Sequence, residues 1–142
     1  ATVCDVVFSV PEAKFGYTEV NIGFIPAIVS LFIIRKIGEA KARELLLSGR
    51  IISCDEALNN GMVNYQVDAS EIANEVQKYA RKLVERTSGE SLKLTKQLIA
   101  TVQDLPLNEA LNKAAEMNAT ARGTADCKKG IAAFLNKEKL SW

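Results

Sequence analysis
A single carboxylate borders the most apolar stretch of this chain. The segment Phe15-Gly16-Tyr17-Thr18-Glu19-Val20-Asn21-Ile22-Gly23-Phe24-Ile25-Pro26 carries Glu19, and Ile28, Val29, Leu31, Phe32, Ile33 and Ile34 follow it closely. An acid in such surroundings is poorly solvated, which favours its neutral form. A carboxyl group held that way can give or take a proton near neutral pH, the requirement for general acid–base work. The competing reading is a solvated glutamate at the end of a strand, and the residue alone does not separate the two.

Composition narrows the chemistry further. The 142 residues, enough for one domain with a real core, include no histidine. That removes His-based triads, imidazole acid–base catalysis and His metal sites. Cys4, Cys54 and Cys127 are odd in number and far apart. They match neither a disulfide framework nor a zinc spacing, so no metal is expected, and they read as free thiols in a reducing compartment. Lys and Arg number 18 against 17 Asp and Glu, a balance without broad attraction to nucleic acid or to an anionic membrane. The apolar run from Gly23 to Ile34 holds Pro26 and Ser30 and is too short to span a bilayer. Ala1 to Val10 is apolar without the basic flank of a signal peptide. Ala1 to Phe8 reads instead as a strand entered midway, as in a piece of a longer protein.

The elements that must position Glu19 change character near Asp68. Before it, short apolar runs alternate with Gly and Pro in an α/β pattern. Thr2 to Ser9 is rich in β-branched residues and bounded by Pro11, which predicts a strand. Lys14 to Glu19 reads as a second, and Met62 to Val67 alternates like a third. Pro26 opens a helix running through Ile37, apolar on nearly every side and therefore expected to be buried all round. Gly38 breaks it. Glu39 to Ser48 is the next helix, with Ala42, Leu45 and Leu46 on one face and Gly49 after its end. Ser53-Cys54-Asp55-Glu56 and Thr87-Ser88-Gly89-Glu90 are capping boxes. After Asp68 the pattern is helical: Ile72 to Val84, then Leu94 to Val102, then a helix opened by Pro106, then one capped by Thr124. Their apolar faces are narrow and Ala-rich, so they should lie on another body, either more of the chain or a second subunit.

The ordered set of short motifs resembles the crotonase superfamily, the enoyl-CoA hydratases and isomerases. It comprises Cys4-Asp5, Ala13-Lys14-Phe15-Gly16, Glu19 before Ile22-Gly23-Phe24-Ile25-Pro26, Arg35-Lys36-Ile37-Gly38, and Ala42 through Gly49. Ile52-Ser53, Gly61-Met62-Val63 and the closing Gly130-Ile131-Ala132-Ala133-Phe134-Leu135-Asn136-Lys137 complete it. The resemblance covers essentially the whole chain. It implies an α/β fold: residues 1–68 as the C-terminal layers of a crotonase-like ββα superhelix, and residues 69–142 as a helical trimerisation region. It also implies that a second catalytic glutamate and the glycine-rich oxyanion segments precede Ala1.

The activity implied is syn addition of water to a 2-enoyl-CoA thioester, in fatty-acid or branched amino-acid degradation. Glu19 would be the proton donor to the α-carbon. Phe134 and Lys137 match positions that, in the family, meet the CoA adenine and phosphates, often across a subunit boundary, and an aromatic face near an ammonium suits a nucleotide. The plainer reading makes Phe134 a core residue with Ile131, and Lys137 a solvated charge at a helix end. Ala27 falls at a substrate-binding position, where Pro26-Ala27-Ile28-Val29-Ser30 replaces the family's glycine-rich run. No separate cofactor is implied, because CoA is part of the substrate. The implied partners are the acyl-CoA thioester, the N-terminal half of the same protein, and further copies in a homotrimer or dimer of trimers, with no nucleic acid and no membrane. The implied compartment is the cytoplasm, or the mitochondrial matrix in a eukaryote. Two alternatives stand beside this reading: a double-bond isomerase of the same fold with Glu19 as single shuttling base, and a non-catalytic helical assembly module.

Overall fold
The computed structural model describes residues 1–142, which divide into two compact units, Ala1–Gln77 and Lys78–Trp142. The first unit holds strands β1 (Phe8–Ser9) and β2 (Lys14–Gly16), a 3-10 turn (Glu19–Ile22), and helices α1 (Ala27–Ile37) and α2 (Glu39–Ser48). Strand β3 (Ile51–Ser53), helix α3 (Cys54–Asn59) and strand β4 (Tyr65–Gln66) follow. Helix α4 (Ile72–Arg86) runs across the division, and α5 (Gly89–Val102), α6 (Leu107–Gly123) and α7 (Ala125–Leu135) belong to the second unit. No helix is long and apolar enough to cross a membrane.

The core of the first unit follows from the helical period of α2. Ala42, Leu45 and Leu46 fall on one stripe and are buried. They meet Ile33 of α1, Ile52 of β3, and Met62 and Val63 beyond α3. Each of the larger side chains contributes about 1.5–3 kcal/mol when fully taken from water. Strand β2 pairs antiparallel with β3, Phe15 opposite Ile52, and β1 pairs parallel with β4, Phe8 opposite Tyr65. The rings of Phe8 and Tyr65 stack with centroids 4.7 Å apart.

Three expectations are corrected. The strand predicted over Thr2–Ser9 is reduced to Phe8–Ser9, because a strand exists only where a ladder partner does and Tyr65–Gln66 is the one it finds. The strand predicted over Lys14–Glu19 stops at Gly16, and Glu19 begins the 3-10 turn. Helix α1 is not buried all round: Ile33 is buried, while Ile28 and Leu31 are 76% and 64% exposed. Burying a helix on every side needs neighbours on every side, and within this unit the helix that α1 packs against most is α2.

Ser53 and Thr124 cap as the sequence predicts, and the predicted Thr87 cap is corrected to Ser88. Ser53 Oγ accepts the Glu56 amide at 3.2 Å. The Glu56 carboxylate does not return to Ser53, because Arg50 donates to it at 3.0 Å and to Glu44 at 2.6 Å. Charge-assisted pairs of this kind are stronger than a bond from a neutral amide, and the guanidinium holds both carboxyls below the usual range. At α5 the cap is Ser88, which accepts the Ser91 amide at 3.0 Å, while the Thr87 hydroxyl donates to Leu83 carbonyl instead. Thr124 caps α7 through the Cys127 amide at 3.2 Å. Helices α4, α5 and α6 have no fully buried residue, as their narrow faces predict.

Candidate active site
Glu19 owes its place to two neighbours in space. Ahead of it, β2 is clamped to β3, and the buried Tyr17 hydroxyl shares a 2.8 Å hydrogen bond with the Thr2 hydroxyl. Behind it, Gly23 takes the left-handed conformation at φ 82°, which lets the Phe24 amide reach back to the Glu19 carbonyl at 3.0 Å. The turn between them is held to the end of α2, where Asn21 Nδ2 donates to the Gly49 carbonyl at 3.2 Å. Gly49 sits at φ 61°, and a Cβ there would stand 2.7 Å from Asn21 Oδ1 and 2.9 Å from Val20 Cγ2. Only glycine admits that approach. The sequence marks Gly49 as a helix stop, but its second duty, receiving the turn that carries Glu19, has no signal beyond the glycine itself.

One oxygen of Glu19, Oε2, is shielded from solvent and has no hydrogen-bond partner. Leaving a buried acceptor unsatisfied costs about 1–3 kcal/mol, and Gln66 Oε1 is the other buried side-chain oxygen left so. The surface that continues from Glu19 is apolar: Ile22 and Phe24 are 75% and 68% exposed. Val6 and Phe8 are half-buried. Pro26 is buried ahead of α1, no side chain caps that helix, and exposed Ala27 is its first residue. The Ala27 amide is already engaged by the Ile25 carbonyl at 2.8 Å.

Glu19 and Ala27 thus share the first unit, on either side of the Gly23 turn, whereas Phe134 and Lys137 lie in the second. Phe134 is not core: its ring is 83% exposed, and Ile131 beside it on α7 is 53% exposed. Lys137 is exposed and left-handed at φ 55°. Its amide bonds to the Phe134 carbonyl at 3.3 Å and the Glu138 amide to the Ala133 carbonyl at 2.9 Å, the paired bonds of a Schellman turn. Glycine is the usual occupant, and an L-residue there costs about 1–2 kcal/mol. The ammonium is therefore presented on a turn that lysine does not favour by itself.

A family model described as enoyl-CoA hydratase/isomerase matches residues 1–142. The chain belongs to the enoyl-CoA hydratase/isomerase family. A Thermus thermophilus protein named an enoyl-CoA hydratase is 39% identical over 137 residues, which are 96% of this chain and 54% of that protein. The short-chain-enoyl-CoA hydratase of Clostridioides difficile is 30% identical over 94% of this chain and 86% of its own length. The crystal structure of an enoyl-CoA hydratase from Bacillus anthracis matches with a TM-score of 0.88 at 27% identity, covering 96% of this chain and 53% of that one. The helix-rich α/β architecture is thus that of the crotonase superfamily. The chain spans about half the length of the Thermus and Bacillus relatives.

Proposed function
We propose that the chain is the part of an enoyl-CoA hydratase that supplies one catalytic acid and the nucleotide-facing helix. The observation that carries this reading is the shielded, partnerless Oε2 of Glu19 at the edge of an apolar surface, in a chain of this family. Hydration of a 2-enoyl thioester places the hydroxyl of water on the β-carbon and a proton on the α-carbon. Charge gathers on the thioester oxygen during the step, so fixed amide donors must face it. Glu19, protonated, helps hold the water and delivers the α-proton, while the proton the water loses as its hydroxyl joins the β-carbon passes to a second glutamate. The donors and this second glutamate come from the N-terminal half of the same protein, the partner that also covers Ile22 and Phe24. Ala27 borders the acyl group, and Phe134 and Lys137 receive the adenine and phosphates of CoA, which enters as part of the substrate and not as a separate cofactor. The step belongs in fatty-acid or branched amino-acid degradation, in the cytoplasm or the mitochondrial matrix. The unpaired thiols, Cys4 exposed and Cys54 buried among them, suit such a reducing compartment.

Mass spectrometry of the product tests the reaction class. The full-length protein is expected to convert crotonyl-CoA to a product heavier by one water. Double-bond migration in a 3-enoyl-CoA, without any water uptake from crotonyl-CoA, would make the protein an isomerase instead. No turnover of either thioester would leave an assembly module.

Residues 69–142 form the trimerisation region in this proposal. Val84 and Leu107 are 72% and 74% exposed in the second unit, apolar area that suits a subunit interface. Light scattering of the full-length protein at micromolar concentration is expected to return the mass of three or six chains. A stable monomer would count against it.

A further inference from the structure
Beyond Leu135 the chain turns back on α7, and the tail it returns is seated on the helix stem. The ammonium of Lys129 lies 5.3 Å from the centroid of the Trp142 ring and donates to the Ser141 carbonyl at 2.5 Å. Gly130 makes room for that ring. A Cβ on Gly130 would stand 3.5 Å from Trp142 and 3.9 Å from the Leu140 side chain. Alanine would therefore be accommodated there, whereas a longer side chain would push the ring off the helix. Leu140 and Trp142 are half-buried, while Phe134 and Lys137 on the intervening turn are exposed.

A left-handed lysine persists only where its surroundings over-determine it. The two Schellman bonds close one side of the Lys137 turn, and on its other side the chain is anchored back on α7 through Lys129, Gly130 and Trp142. Lys129 is committed to holding the tail. Lys137 has no such engagement. We infer that the returning tail Leu140–Trp142 is a clamp that holds the Lys137 turn, and that Trp142 is a positioning residue for the nucleotide end of the substrate. This rests on the reading of Phe134 and Lys137 as contacts to CoA.

The test compares two thioesters in the full-length protein: crotonyl-CoA, and crotonyl-pantetheine, which keeps the reacting end and lacks the nucleotide. Trp142→Ala and Gly130→Leu are expected to raise KM for crotonyl-CoA about tenfold, equivalent to about 1.4 kcal/mol. Neither should change kcat, nor KM for crotonyl-pantetheine, by more than about twofold. Trp142→Phe, which keeps an aromatic face for Lys129, should restore the wild-type KM. If Trp142→Ala does not fold, Gly130→Leu carries the comparison, since it leaves the tail residues intact. An equal rise in KM for both thioesters would mean general loosening and would overturn the clamp. So would unchanged KM in both tail variants while Lys137→Ala raises it. If Lys137→Ala and Phe134→Ala leave KM for crotonyl-CoA unchanged, the reading of those two residues as nucleotide contacts falls, and the clamp with it.

Discussion
Glu19→Gln in the full-length protein is expected to lower turnover of crotonyl-CoA about a hundredfold or more, the scale of losing a positioned acid or base. The amide has nearly the shape of the acid, so the 3-10 turn, the Asn21–Gly49 bond and the Gly23 reversal should all survive. In the proposed mechanism it removes the proton that goes to the α-carbon. Stability gives a second readout. Oε2 is shielded and has no hydrogen-bond partner, so the substitution breaks no hydrogen bond at that oxygen. Thermal melts should therefore show the variant to be about as stable as the parent. A near-normal rate would remove Glu19 from the mechanism. A lost rate with a collapsed melting curve would assign it a structural role instead.

The chain of residues 1–142 by itself is expected not to hydrate crotonyl-CoA. In the proposed mechanism Glu19 acts together with amide donors and a second glutamate that the family resemblance places before Ala1. Losing one oxyanion donor costs a factor of about a hundred to a thousand, and here the set would be missing. The exposed surface agrees with that proposal. Ile22, Phe24 and Ile25 leave the Glu19 turn into solvent, and Ile28 and Leu31 continue on α1. A contiguous apolar face of this kind binds hydrophobic dyes and promotes association. Adding the N-terminal half in trans should quench dye binding and restore activity together. Hydration by the chain alone at rates within about tenfold of a family enzyme, with mass spectrometry showing no bound companion, would mean that the catalytic set lies within these residues.

Local chemistry is legible in the sequence. The stripe Ala42, Leu45 and Leu46 points one way because helical residues three and four apart share a face, and these side chains are buried as their spacing requires. Ser53 and Thr124 cap because a hydroxyl ahead of a helix satisfies amides that nothing else reaches. Glu19 stood out because one carboxyl beside so many apolar side chains is unusual. Everything that depends on a neighbour distant in sequence was decided only in three dimensions. An apolar helix does not state how many of its sides are covered, so α1 reads as buried while Leu31 stands in solvent. A β-branched run does not state how many ladder partners it meets, so Thr2–Ser9 keeps only the two residues that find Tyr65 and Gln66. Phe134 at helical spacing from Ile131 reads equally as core or as surface, and tertiary structure exposed it. Gly49 reads from sequence as a helix stop, and Gly130 only as part of the closing-helix motif. Their work is to admit Asn21 and Trp142, which lie 28 and 12 residues away in the chain. Spacing along a chain encodes periodicity and caps, because those are set by residues a few positions apart. It does not encode which distant side chain comes to rest where a Cβ is missing.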